Sequence, residues 1–218
     1  MRPKLYAHPF SSYCQKALIA LYENDTAFDF KMLGGNDDIA AEHAALWPLK
    51  RMPVLADGDR TLAEATIIIE HLDVHHAGPV RFVPASPEAA VEVRFMDRFF
   101  DNYVMTPMQK IVGDSLRPTT SRDAYGVAEA RRTLDTAYRW LDGHMERREW
   151  AANETFGLAD CAAAPSLFYA DWAHPLAGRF PNVQAYRQRL LARPSFARAV
   201  DEARPFRAFF PLGAPNRD

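Results

Sequence analysis

Apolar and polar positions change rhythm near residue 78 of this chain. Before that point, short stretches of period two alternate with longer ones of period near 3.6. In Ala27–Leu33, Phe28, Phe30 and Met32 alternate with Asp29 and Lys31, the pattern of a strand. Residues 12–23 instead bring Cys14, Ala17, Leu18 and Leu21 onto one face, the pattern of an amphipathic helix. Lys4–Ala7 is a short strand candidate, and Gly34-Gly35-Asn36 makes a turn before an Ala-rich helix ending about Leu46. The run MPVLADGDRTLAEATIIIEHL predicts a strand at Val54–Ala56, a hairpin at Asp57-Gly58, a second short strand, and a helix over Glu64–His75. The order is β-α-β-α-β-β-α. Two strands joined by a helix imply a parallel pair, and the hairpin adds an antiparallel edge.

Gly78-Pro79 and the prolines at 84 and 87 punctuate the next stretch, and beyond it strand patterns vanish. Residues 87–115, 122–148, 158–173, 182–193 and 195–203 have helical periodicity, broken at Pro118, Gly157, Pro181 and Pro194. The expected organisation is an α/β unit over 1–78, a linker over 79–87 and an all-α unit over 88–218.

Composition narrows the function. The 218 residues are 48% hydrophobic and 25% charged, with a net charge of −2, which gives no basic field for nucleic acid and no polybasic patch for a membrane surface. No apolar run reaches the ~20 residues of a bilayer span, and MRPKLYAHP enters a strand without the apolar segment of a secretory signal. Two cysteines, Cys14 and Cys161, do not make a disulfide framework, so a reduced, cytoplasmic protein is expected. The sequon-like Asn153-Glu154-Thr155 carries no meaning there.

Three stretches carry candidate chemistry. In YAHPFSSYCQKALIAL, Ser11 and Cys14 stand at the mouth of the first helix, with the spacing of a C-x-x-C redox motif whose first sulfur has become oxygen. Ser11 or Ser12 caps that helix, and Cys14 falls on its apolar stripe. A hydroxyl at a helix N-terminus can in addition donate to a thiolate. In RMPVL, Pro53 before an apolar strand is an ordinary strand start, or a cis proline that turns the Met52 backbone outward to pair with an extended peptide. In LAEATIII, Glu64 opens a helix; the N–H groups of Ala65 and Thr66 can hold a carboxylate while Glu64 faces an ammonium.

In this order the three stretches resemble the N-terminal domain of cytosolic glutathione transferases, a thioredoxin-like fold, and the helical remainder resembles that family's C-terminal domain. FGLADCAAAPSLFYADW is similar to the family's capped helix with its Ser/Thr-x-x-Asp start, here with Gly157 in place of the hydroxyl and Asp160 kept. The resemblance covers nearly the whole chain. It implies a serine-type transferase in which Ser11 activates glutathione, and a homodimer. Tyrosine-type classes carry their phenol where this chain has Ala7, and Tyr6 turns to the other face of the strand. It also implies a glutathione site of Lys50, Arg51, Met52, Pro53, Glu64, Ala65 and Thr66, with Ala65 and Lys50-Arg51 departing from the usual Glu-Ser and Gly-Lys. Glutathione is then the co-substrate, with no metal, and a small hydrophobic electrophile is its partner.

The electrophile pocket is expected between the two units. Phe10 lines it from the loop, Phe99, Tyr103, Met108 and Ile111 from the first long helix, and Phe206 from the tail RPFRAFFPLG, which otherwise packs as core or at a dimer contact. A non-catalytic binding module of the same fold is an alternative. A glutathione-dependent reductase is another, opposed by Ser11, which cannot form a mixed disulfide. His71, His75 and His76 have i, i+4 spacing, but no Cys or well-spaced carboxylate joins them in the sequence, and a helix C-terminus favours imidazoles anyway. Arg131-Arg132 and Arg147-Arg148 read as a solvated helix face.

Overall fold

A computed structural model describes residues 2–176 and 178–218. Strands β1 (Lys4–Ala7), β2 (Asp29–Met32), β3 (Val54–Asp57) and β4 (Arg60–Ala63) form a four-stranded sheet in the order β2-β1-β3-β4. β1 and β2 are parallel, with Lys4 opposite Asp29, and α1 (Ser12–Glu23) is their crossover. β3 runs antiparallel to both β1 and β4, and Gly58 at φ +63° turns the β3–β4 hairpin. Helices α2 (Asp37–Leu46) and α3 (Ala65–His75) complete the α/β unit. The α/β arrangement followed by helices is the fold class expected from the sequence.

The helical part holds α4 (Pro87–Phe99), α5 (Thr106–Ser115), α6 (Ala124–His144), α7 (Leu158–Ala173), α8 (Pro181–Leu191) and α9 (Pro194–Ala203), then a 3₁₀ turn over Arg204–Phe209. The single helix expected over 87–115 is instead interrupted by a π-helical segment, Phe100–Met105. Pro107 has no N–H to give the preceding turn. The Thr106 N–H reaches the Asp101 carbonyl, and its Oγ1 donates to the same oxygen at 2.9 Å. The extra residue in the turn rotates everything beyond it relative to a uniform helix.

Helix α7 is buried along its whole length and is the spine of the molecule. Its apolar residues share one core with those of α1, Leu18 and Leu167 among them. Gln15 of α1 adds a polar tie, donating from Nε2 to Tyr169 Oη at 3.2 Å and to the Pro9 carbonyl at 3.0 Å. At the start of α7 the Asp160 carboxylate accepts the Gly157 N–H at 2.9 Å, the Ala151 N–H at 2.9 Å and the Tyr186 hydroxyl at 2.5 Å. Gly157 contributes no side chain to this cap, and the reason is local. A Cβ there would lie 2.9 Å from the Phe82 carbonyl oxygen, which accepts the neighbouring Leu158 N–H at 3.0 Å. No helix among the described residues is long and apolar enough to cross a membrane.

Candidate active site

The loop after β1 folds back on itself when the Ser11 N–H bonds the His8 carbonyl at 3.0 Å. Ser11 then takes extended backbone angles, φ −84° and ψ 124°, and becomes the N-cap of α1. Its Oγ accepts the Cys14 N–H at 3.5 Å, which leaves the hydroxyl proton to be donated elsewhere. Ser12, the alternative hydroxyl, is buried and donates to Met105 Sδ at 3.4 Å. Cys14 is sealed in the core, and burial pushes its thiol up to about 11. Tyr6 points the other way and donates its hydroxyl to Glu42 Oε2 at 2.9 Å.

Ser11 opens onto a cavity of about 700 Å³, whose lining includes Lys50, Arg51, Met52 and Pro53 on one side and Glu64 with Ala65 on another. The Met52–Pro53 peptide is cis. Glu64 caps α3 with φ +69° and ψ 118°, and its carboxylate makes no capping bond. A left-handed conformation in a non-glycine residue costs on the order of 1–3 kcal/mol and concentrates at functional positions. Lys50 shares that feature at φ +52°. Beyond Glu64 the first amides of α3 have no partner one turn earlier, so they present donors and the positive end of the helix dipole.

The sequence expects only the backbone N–H of Thr66 at the mouth of α3, and its side chain is engaged elsewhere. Its hydroxyl donates inward to Asp97 Oδ2 at 2.9 Å and accepts from Lys16 Nζ at 2.9 Å and from Arg98. Its side chain is therefore committed to the interior, and only its backbone can serve a ligand at the mouth of α3.

The third wall comes from the segment joining α4 to α5. Arg98, Asp101, Asn102 and Gln109 line the cavity there, with Tyr13 and Trp47 from the α/β unit. Asp101 Oδ2 accepts from Lys16 Nζ at 2.9 Å and from Arg98 Nη2 at 2.6 Å, while buried Oδ1 has no hydrogen-bond partner. Burial raises the Asp101 carboxyl, against the pull of Lys16. Burial, followed by the Asp101 charge, pushes the Tyr13 phenol up to about 12, so it remains a donor at neutral pH. Sequence reasoning passed over these residues because it followed the apolar stripe of the helix. The polar stripe at 98, 101 and 102 was the usable signal, and it faces the cavity.

The six residues expected to line an electrophile pocket do not converge with Ser11. Phe99 and Tyr103 open with Phe95 and Trp140 onto a separate groove on the outer face of α4 and α6. Met108 and Ile111, beyond the π-helical turn, are buried in the core. Phe10 packs edge-on against Tyr169 at 5.4 Å, and Phe206 packs on His8 at 4.6 Å.

Comparison with known proteins agrees with this geometry. A family model described as "Glutathione S-transferase, N-terminal domain" matches residues 5–80, and one described as "Glutathione S-transferase, C-terminal domain" matches residues 75–194. Glutathione S-transferase 3 of Zea mays is 27% identical over 210 residues, spanning 90% of this chain and 92% of that protein. A glutathione S-transferase of Methylobacillus flagellatus KT solved with GSH bound superposes with a TM-score of 0.81 at 25% identity, over 90% of this chain and 98% of its own. One from Methylobacterium radiotolerans JCM 2831 in complex with glutathione sulfonate gives 0.79 at 25% identity, over 92% and 95%. The chain belongs to the glutathione S-transferase family. It is a transferase, and glutathione is its co-substrate.

Proposed function

We propose that this chain is a serine-type transferase that joins the thiolate of glutathione, activated by Ser11, to small hydrophobic electrophiles. The observation that carries this reading is the convergence of Ser11, Lys50–Pro53 and Glu64–Ala65 on one cavity. Glutathione lies extended across it, its cysteinyl backbone paired with Met52 as an added strand. Its glycyl carboxylate meets Lys50 or Arg51. The γ-glutamyl carboxylate takes the free amides of Ala65 and Thr66, and the ammonium faces the Glu64 carboxylate.

The energetics are sufficient. A free thiol has a pKa near ~8.5, and lowering it by about 2 units requires roughly 2.7 kcal/mol of preference for the thiolate. A hydrogen bond to a charged group supplies about 1.5–3 kcal/mol, and a helix N-terminus adds roughly 0.3–1 kcal/mol. The thiolate then attacks an electrophilic carbon, displacing a leaving group or adding to a conjugated system. The electrophile approaches beside Tyr13, Asn102 and Gln109, whose donors suit a molecule carrying a hydrogen-bond acceptor next to its apolar part.

A homodimer fits the outer face of the helical part, where Val91 is 66%, Phe95 52%, Tyr103 53% and Trp140 44% exposed. Apolar side chains grouped in this way favour a covered face, and sedimentation analysis of the full chain reads the mass. With two free, buried cysteines the chain suits the reducing cytoplasm.

Calorimetry with glutathione and a conjugation assay with chlorodinitrobenzene test the reading together. Glu64→Ala should weaken glutathione by about 2–5 kcal/mol where the pair is buried, and by less at an exposed rim. Glutathione binding without turnover, or an unaltered affinity in Glu64→Ala, contradicts the assignment.

A further inference from the structure

The sequence gives the histidines at the end of α3 no third ligand; the fold supplies one. Asp57, the last residue of β3, lies against the C-terminal end of α3, and its Oδ2 is 2.9 Å from His71 Nε2 and 2.7 Å from His76 Nε2. The three donor atoms fall within 4.8 Å of one another. None is lost in the core and none is fully exposed, with side-chain exposures of 18% for Asp57, 7% for His71 and 24% for His76. His75 stands beside them, its ring centroid 4.4 Å from that of His71, but its Nε2 is turned to the Arg60 guanidinium at 3.0 Å.

We propose that Asp57, His71 and His76 form a binding site for a divalent transition-metal ion of the zinc type, with a water molecule as the fourth ligand. Two imidazole nitrogens and one carboxylate oxygen are a donor set such ions take. Tetrahedral bonds of about 2.0–2.1 Å place ligand atoms about 3.3 Å apart, so each histidine nitrogen needs to draw back from the Asp57 oxygen by only about half an ångström. Both histidines already aim the same nitrogen at the same oxygen. Each imidazole binds as the neutral tautomer with its single proton on Nδ1, so that the Nε2 lone pair meets the ion. Partial exposure leaves the entry path open. The bound ion clips the β3–β4 hairpin to the far end of α3, the helix whose other end borders the cavity of Ser11.

The arrangement has a structural alternative, in which Asp57 simply accepts from both rings and no ion enters; the experiment separates the two. Full-length protein without a histidine tag is stripped with chelator and titrated with cobalt(II), then with zinc(II) in competition, magnesium serving as the hard-cation control. The wild type and His75→Gln should take up one cobalt ion with the visible bands of a tetrahedral site, and zinc should displace it and raise Tm. Asp57→Asn and His76→Gln, at partly exposed positions that spare the core, should weaken uptake at least about tenfold, with circular dichroism confirming that each is folded. No uptake by the wild type overturns the proposal. So does uptake undiminished in the folded Asp57→Asn/His76→Gln double variant. Glutathione affinity does not enter the readout, so failure of the transferase reading leaves this result standing.

Discussion

Lys16 Nζ lies 2.6 Å from Asp97 Oδ1, with both side chains shut away from water at 1% and 0% exposure. The pair joins α1 to α4 directly behind the cavity, and Asp101 and the Thr66 hydroxyl complete its hydrogen bonds. Three elements that carry cavity residues are thereby held in one register. Removing one member of a buried pair strands the other, at a cost of about 3–5 kcal/mol. Lys16→Met should lower stability by that amount in chemical denaturation. Lys16→Met/Asp97→Leu should recover part of the loss.

Gly157 holds the position where the family pattern has a hydroxyl, and the Phe82 carbonyl occupies the space a side chain would need. Gly157→Ser therefore destabilises the fold, by about 1–3 kcal/mol as for other overpacking changes, although serine is a favoured cap elsewhere. A fall in Tm measures it, and a rise would show that the loop from Phe82 yields.

Cys14 and Cys161 are both inaccessible and both have thiols raised by burial, Cys14 to about 11. Neither should react with a disulfide reagent in the native protein at mildly alkaline pH, and both should react in denaturant. Linkage has a defined sign here. The folded state holds the Cys14 proton from its ordinary 9.0 up to about 11, so the contribution is full below that window and is lost as pH rises through it. In Cys14→Ala this part of the alkaline destabilisation should disappear.

Much of this molecule was legible before its structure. The period-two stretches gave the strands, the Asp57-Gly58 pair gave the hairpin, and α7 begins and ends where its apolar run does. Local patterns could do this where an element's inner face is apolar at its own period, as along Ala130, Leu134, Ala137 and Leu141 of α6; β2 forms although its Phe30 and Met32 are exposed. In the α4–α5 wall the polar stripe at 98, 101 and 102 was legible, whereas Gln109 was not, since one π-helical turn before Pro107 shifts the faces beyond it. Nor was the inward turn of the Thr66 hydroxyl, which depends on Lys16 and Asp97 meeting across three helices. Asp57 beside His71 and His76 is a juxtaposition of the same kind, made by tertiary contact between residues far apart in the chain.

The central claim, that the Ser11 hydroxyl stabilises the thiolate of bound glutathione, is tested by following thiolate absorbance against pH in the glutathione complexes of three proteins. The wild type should titrate about 2 units below a free thiol at ~8.5. Ser11→Ala should move the midpoint back up by about 1–2 units, because one charged hydrogen bond of roughly 1.5–3 kcal/mol is gone while the helix N-terminus remains. Conjugation at neutral pH should fall about ten- to hundredfold with it. Ser12→Ala should titrate like the wild type, because its hydroxyl is spent on Met105. An unchanged titration in folded Ser11→Ala, or a shift in Ser12→Ala instead, would contradict the assignment of Ser11.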